Sequence, residues 1–242
     1  MNPYRYAKAM AWTGVFMLAG TIIFWAILGQ NVPPYSAELS ADEFAAQIRE
    51  HASLIRIGMI VQMPISVMWF TWGVALWVVM RAIEKENGAN SILSLLQIVG
   101  AAFTTIVFVL PCSVWLAVAY RPEVMEPKTL QIMYDFGWMF FDMAYSLTTM
   151  QLVAFGICVL QDKREKPLVP AWVAWFSMFV VVSFAVLTMM PLVFGGPFSR
   201  SGLINYFVEF TLFFLMWLIL DITILKAIGR LEQEHYTGHA SR

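Results

Sequence analysis

The chain has 242 residues, of which 60% are hydrophobic and 13% charged, with a net charge of −1 and a mean hydropathy of +0.70. A soluble domain carries roughly 45–50% apolar and about 25% charged residues, so there is too little polar surface here to wrap a water-exposed globule. An ordinary cytosolic enzyme, a disordered chain and a nucleic-acid binder are excluded, and an integral membrane protein, with the lipid bilayer as its first partner, remains.

A spanning helix needs about 20 mostly apolar residues. Six segments qualify: 9–28, 55–80, 92–119, 130–160, 170–194 and 203–225. They predict an all-α fold, a polytopic membrane helix bundle with six transmembrane helices, as a single domain over residues 1–242. The start, MNPYRYAKAM, opens a long apolar run without a small-residue cleavage site, which reads as a retained first span rather than a signal peptide. Several segments exceed 25 residues, so tilt or helical extension past the bilayer is expected.

Six spans bring both termini to one side. Ten of the fifteen Lys and Arg residues lie at the N-terminus, in the 81–91 and 161–169 loops and in the 226–242 tail, against five on the other side. The positive-inside rule therefore places both termini in the cytoplasm. The longest connection, 29–54, is then the outer loop. Pro33-Pro34 stiffens its start, and Ser40-Ala41-Asp42-Glu43 reads as a capping box. Phe44, Ala45 and Ile48 follow on one face. A short amphipathic outer-loop helix is expected, lying over the outer mouth and running into the second span, as connector or lid.

Much chemistry is missing. His51, His235 and His239 all lie outside the spans, so a haem held by two histidines and a histidine-rich diiron site are excluded. His235 and His239 sit four apart, but on a fraying tail they make a poor metal site. No metal and no cofactor is expected. Cys112 and Cys158, within apolar stretches, read as small buried hydrophobes.

The chemistry that is present is acidic. An ionisable group within a span costs about 2.5–3.5 kcal/mol on insertion scales, so it must face protein or trapped water. Asp135 and Asp142 fall in span four, Glu209 and Asp221 in span six. At about 1.5 Å per residue, Asp142 lies roughly 18 Å in, near the midplane, Asp135 about 8 Å and Glu209 about 9 Å. Asp221, near Lys226 and the inner boundary, is expected to snorkel or pair there. Asp135 and Asp142, seven apart, share a face that Ser146 and Thr149 continue, flanked by Tyr134, Tyr145 and Thr148. Asn205 and Glu209 form an i,i+4 pair.

Arg56 opens span two, with Gln62 further in and Pro64 disturbing the helix beyond. The expected arrangement is a polar cluster of Arg56, Gln62, Asp135, Asp142 and Glu209, with Arg56 paired to Asp135 or Glu209. Trp69, Trp72 and Trp138 lie deep enough to wall an apolar ligand, whereas interface belts account for Trp12, Trp115, Trp172 and Trp175. Pro111 and Pro191 interrupt backbone bonding at depth.

The runs SADEFAAQIREHASLIRIGM, AVAYRPE, YDFGWMFF and GPFSRSGLINYF resemble an uncharacterised family of bacterial six-span integral membrane proteins over roughly residues 36–225. That resemblance implies the same topology and a bacterial inner (cytoplasmic) membrane, and it carries no known activity.

Three functions fit. The first is an outward-facing intramembrane pocket that binds or transports a small apolar molecule, using Arg56, Gln62, Asp135, Trp138, Asp142, Tyr145, Asn205 and Glu209. The second is an intramembrane acid–base enzyme acting on an isoprenoid- or sterol-like lipid, with Asp142 as general acid and Glu209 as its partner. The third is an accessory subunit of a larger membrane complex, or a homo-oligomer, whose aromatic faces are covered by partner chains.

Overall fold

The computed structural model describes residues 3–240, with side chains over 4–237. The side chain of His239 lies outside the described residues, so the expected tail histidine pair is not placed. Among the described residues all regular structure is helical, and six helices are long and apolar enough to cross a membrane. The chain is an integral membrane protein of six spans.

The first span is α1 (Pro3–Gly20), which widens into a π-helical stretch over Thr21–Leu28. The second is α2 (Ala41–Ser66) followed by α3 (Met68–Glu86). The third is α4 (Ile92–Tyr120), and Pro111 sits inside it without ending it. The fourth is α5 (Pro127–Met143) and α6 (Tyr145–Leu160). The fifth is α7 (Ala171–Ser183), tightening to a 3-10 helix over Phe184–Leu192. The sixth starts as a π-helix at Leu203–Val208 and continues as α8 (Glu209–Ala240).

Local chemistry sets several of these boundaries. Ser40 accepts a hydrogen bond from the Glu43 backbone N–H, and the Glu43 carboxylate accepts from the Ser40 N–H at 2.9 Å. This is the expected capping box. The helix it opens does not lie across the bundle as a separate piece, however. It continues without interruption to Ser66, and its face of Phe44, Ala45 and Ile48 is buried against Tyr35, Leu130 and Tyr134. Residues 41–54 are therefore an extension of the second span and a wall of the bundle. One turn after Pro64 the helix breaks at Val67, because proline removes a donor and crowds the preceding turn.

Each span packs against the next, and α8 returns against α1, which closes a six-membered ring. Both termini lie at one end, where Lys8 reaches Glu232 at 3.7 Å. The interior holds two aromatic cores stacked along the bundle. At the terminal end Trp69, Trp72, Phe213 and Trp217 pack with Met17, Leu76 and Ile224. At the end carrying the 29–40 loop Trp25, Trp115, Tyr134, Trp138 and Tyr206 pack with Phe44 and Met59. Phe141 and Phe214 touch both. Close helix approach relies on small residues. Gly58 faces the π-helical stretch so tightly that a Cβ there would stand 2.8 Å from the backbone nitrogen of Gly29. Gly137 lets Trp115 lie flat on α5 in the same way.

Candidate functional site

Three interruptions of regular helix meet at one place. α5 gives way to α6 at Ala144, α7 tightens to 3-10 geometry at Phe184, and the π-helical start of span six becomes α-helical at Glu209. Between them lies a partly open cavity of about 50 Å³. Its polar lining is Asp142, Tyr145, Thr148 and Glu209; its aromatic lining is Phe108, Phe141, Phe184, Phe210 and Phe213, with Val107 and Leu187 completing the wall. A water needs about 10–15 Å³ of such space, so the cavity admits a few waters or a small chemical group. Irregular backbone at membrane depth is tolerated where it lines a cavity, because the freed peptide groups can be satisfied there.

Asp142 ends α5 and is 2% exposed, and its carboxylate has the Asn205 amide as its one hydrogen-bonding neighbour, in no close, well-aligned bond. That amide makes no other hydrogen bond. Glu209, 5% exposed, accepts a hydrogen bond from the Ser183 hydroxyl at 2.9 Å, tying the end of α7 to the start of α8. Thr148 donates to Thr104 across to α4 at 3.3 Å.

Above the cavity, towards the 29–40 loop, sits a second polar group. Arg200, 4% exposed, pairs with Asp135, donates its Nε–H to the Tyr35 carbonyl at 2.9 Å, and lies 5.1 Å over the Tyr134 ring. Burial pushes the Tyr35 phenol well above its ordinary pKa, helped by neighbouring Tyr134 and Glu50. It therefore stays neutral beside His51 Nδ1, 3.2 Å away. Asn31 knits the same end: Tyr206 donates to its backbone carbonyl, while its own amide donates to the Trp25 carbonyl at 3.1 Å.

The expected residues divide accordingly. Asp142, Tyr145 and Glu209 come together on the cavity, and Asn205 stands beside Asp142. Arg56 does not pair with Asp135 or Glu209: its guanidinium donates to Ser53, one turn away on the same helix, and Asp135 is held by Arg200. A helix-surface arginine cannot reach across to span four, whereas the 193–202 loop folds Arg200 inward. Gln62 is buried but donates to Thr21 and Ser66, at 3.1 and 3.2 Å, rather than facing the cavity. Trp138 belongs to the loop-end core, its ring 5.2 Å from Trp115. Trp115 is itself buried there, not in an interface belt, donating to the Tyr134 carbonyl at 3.3 Å.

The polar stripe of span four does not run on through Ser146, which is exposed, because the break at Ala144 shifts the face. Asp221 does not snorkel. It is 1% exposed, neither oxygen has a well-aligned hydrogen bond, and it packs against Trp72 and the bare backbone of Gly14. The sequence offers Arg200, before span six, as countercharge in the outer half of the membrane without pairing it to Asp135, and it gives no sign of Asn31 or of the cage of phenylalanines. Among the described residues no group of three or more His, Cys, Asp or Glu could hold a metal ion. No family model matches the chain, and neither does any curated protein or solved structure.

Proposed function

We propose that this protein binds or transports a small, largely apolar molecule within the membrane, in the cavity between spans three, four, five and six. The observation that carries this reading is the convergence of three helix interruptions on one aromatic cavity containing two buried carboxylates. Broken helices at depth are how membrane carriers expose polar groups to a ligand. Asn205, Arg200 and Tyr35 lie towards the 29–40 loop from the cavity, and Phe213, Trp69 and Trp217 pack towards the termini, with Trp69 and Trp217 ring centroids 5.0 Å apart.

Photolabelling in lipid nanodiscs with a diazirine-bearing octanol tests the reading. Label is expected on the segments carrying Phe108, Phe141, Phe184 and Phe210, displaced by excess octanol and lost in Leu187→Trp, which fills the space. Label spread over outward aromatics such as Phe16 and Phe179, without displacement, would overturn it. The same proposal sets both termini in the cytoplasm of a bacterial inner membrane, on the ten-to-five bias in basic residues. Single cysteines at Glu38 and Glu165 should then label from opposite faces.

A further inference from the structure

The charge inventory of the cavity narrows the ligand. Six of its eleven lining residues are aromatic, two are carboxylic acids, and none is Lys, Arg or His. The cation that acts on Asp142 from the loop side, Arg200, already faces Asp135 and the Tyr35 carbonyl. Asp135 and Arg200 cancel, so no cation in the pocket balances Asp142 and Glu209 when they ionise. Asp142 is met by no charged donor, only by the Asn205 amide in a poorly aligned contact, in an environment where an unmade hydrogen bond is costly. An anionic ligand is repelled, and an alkane leaves the carboxylate unanswered. A bare metal ion needs six or more hard oxygen ligands for calcium, or retained waters for magnesium, which phenylalanine walls do not offer. Aromatic faces beside a carboxylate suit an organic ammonium, through ring quadrupole and coulombic attraction together.

Resting on the pocket reading above, we propose that the ligand is an amphiphilic organic cation, its ammonium head held between Asp142, Glu209 and the phenylalanine cage. The cavity of about 50 Å³ has room for the head, and its open side lets an alkyl tail leave.

The experiment compares octyltrimethylammonium, octanol and octanoate, by calorimetric titration of the full chain in nanodiscs. Octyltrimethylammonium should bind saturably and at least about tenfold more tightly than octanol or octanoate. Asp142→Asn should weaken it by about tenfold, Glu209→Gln by less, and Glu165→Gln, which removes an exposed acid far from the pocket, not at all. If octanol enters the pocket and the cation binds no better, the cationic assignment fails while the pocket stands. If neither enters, both fail. Should the variants misfold, the unchanged chain decides. Modification of Asp142 by dicyclohexylcarbodiimide, mapped by mass spectrometry, must be slowed by octyltrimethylammonium and not by octanol; equal rates with and without the cation overturn the assignment.

Discussion

The chain buries carboxylates in two regions and treats them in opposite ways. At the terminal end, Glu84 accepts from the Ser94 N–H at 3.1 Å, the Ser94 hydroxyl at 2.6 Å and Arg81 at 3.2 Å. Asp162 accepts from the backbone N–H groups of Leu168 at 2.9 Å and Arg164 at 3.2 Å, with the Arg164 guanidinium 3.4 Å away. Each of these acids staples a loop. At the cavity, Asp142 has no charged donor and no well-aligned hydrogen bond, only the Asn205 amide beside it. An acid whose work is structural is saturated, because an unsatisfied buried group costs about 1–3 kcal/mol and more when charged. Asp221 is as poorly saturated but packs against Trp72 and Gly14; of the two, Asp142 alone lines the cavity, which ties its unsaturated carboxylate to that space.

The sharpest way to break this contrast is to exchange the consequences. Glu84→Ala should cost about 2–3 kcal/mol, read as a lower Tm in detergent, because it strands the Ser94 donors in a buried position. Octyltrimethylammonium affinity of the folded fraction should not change. Arg200→Met should cost about 1–2 kcal/mol. The Tyr35 carbonyl loses its donor, but Asp135, 37% exposed, can turn to water, so the ion pair itself contributes little. Asp142→Asn should shift stability by less than about 1 kcal/mol in either direction, since no well-aligned hydrogen bond is broken, while ligand binding falls. A Tm loss for Asp142→Asn matching that of Glu84→Ala would erase the distinction between the two regions.

How far the sequence reveals this depends on whether local or distant forces decide. The spans are legible because lipid demands about 20 apolar residues and internally satisfied backbone. The Ser40–Glu43 cap is legible because it is local. That Asp142 and Glu209 share a cavity follows from the cost of exposing acids to lipid. The partner of Asp135 is not legible: Arg200 lies 65 residues away, and only loop packing brings it inward. Asp221 looks like a boundary residue beside Lys226, but α8 runs on to Ala240, which moves the helix end well beyond it. The break at Ala144 carries no proline or glycine to announce it. The phenylalanine cage is hidden among 19 phenylalanines, most of which serve packing or lipid contact. A tryptophan such as Trp115 suits a core and an interface equally well, so composition does not separate them.

Arg56 gives the smallest effect and still discriminates. Its position at the start of the second span invites pairing with the intramembrane acids, yet its guanidinium donates to Ser53 at 3.2 Å, at the exposed surface of the helix. An exposed contact of this kind contributes about 0–1 kcal/mol. Arg56→Ala should therefore change Tm by an amount equivalent to less than about 0.5 kcal/mol and leave octyltrimethylammonium affinity untouched. Arg200→Met, by contrast, removes the cation on the loop side of Asp142, so cation binding should tighten or hold while the fold weakens. If Arg56→Ala alters binding as much as Asp142→Asn does, Arg56 reaches the pocket after all, and the charge balance that assigns the cavity to a cationic head no longer holds.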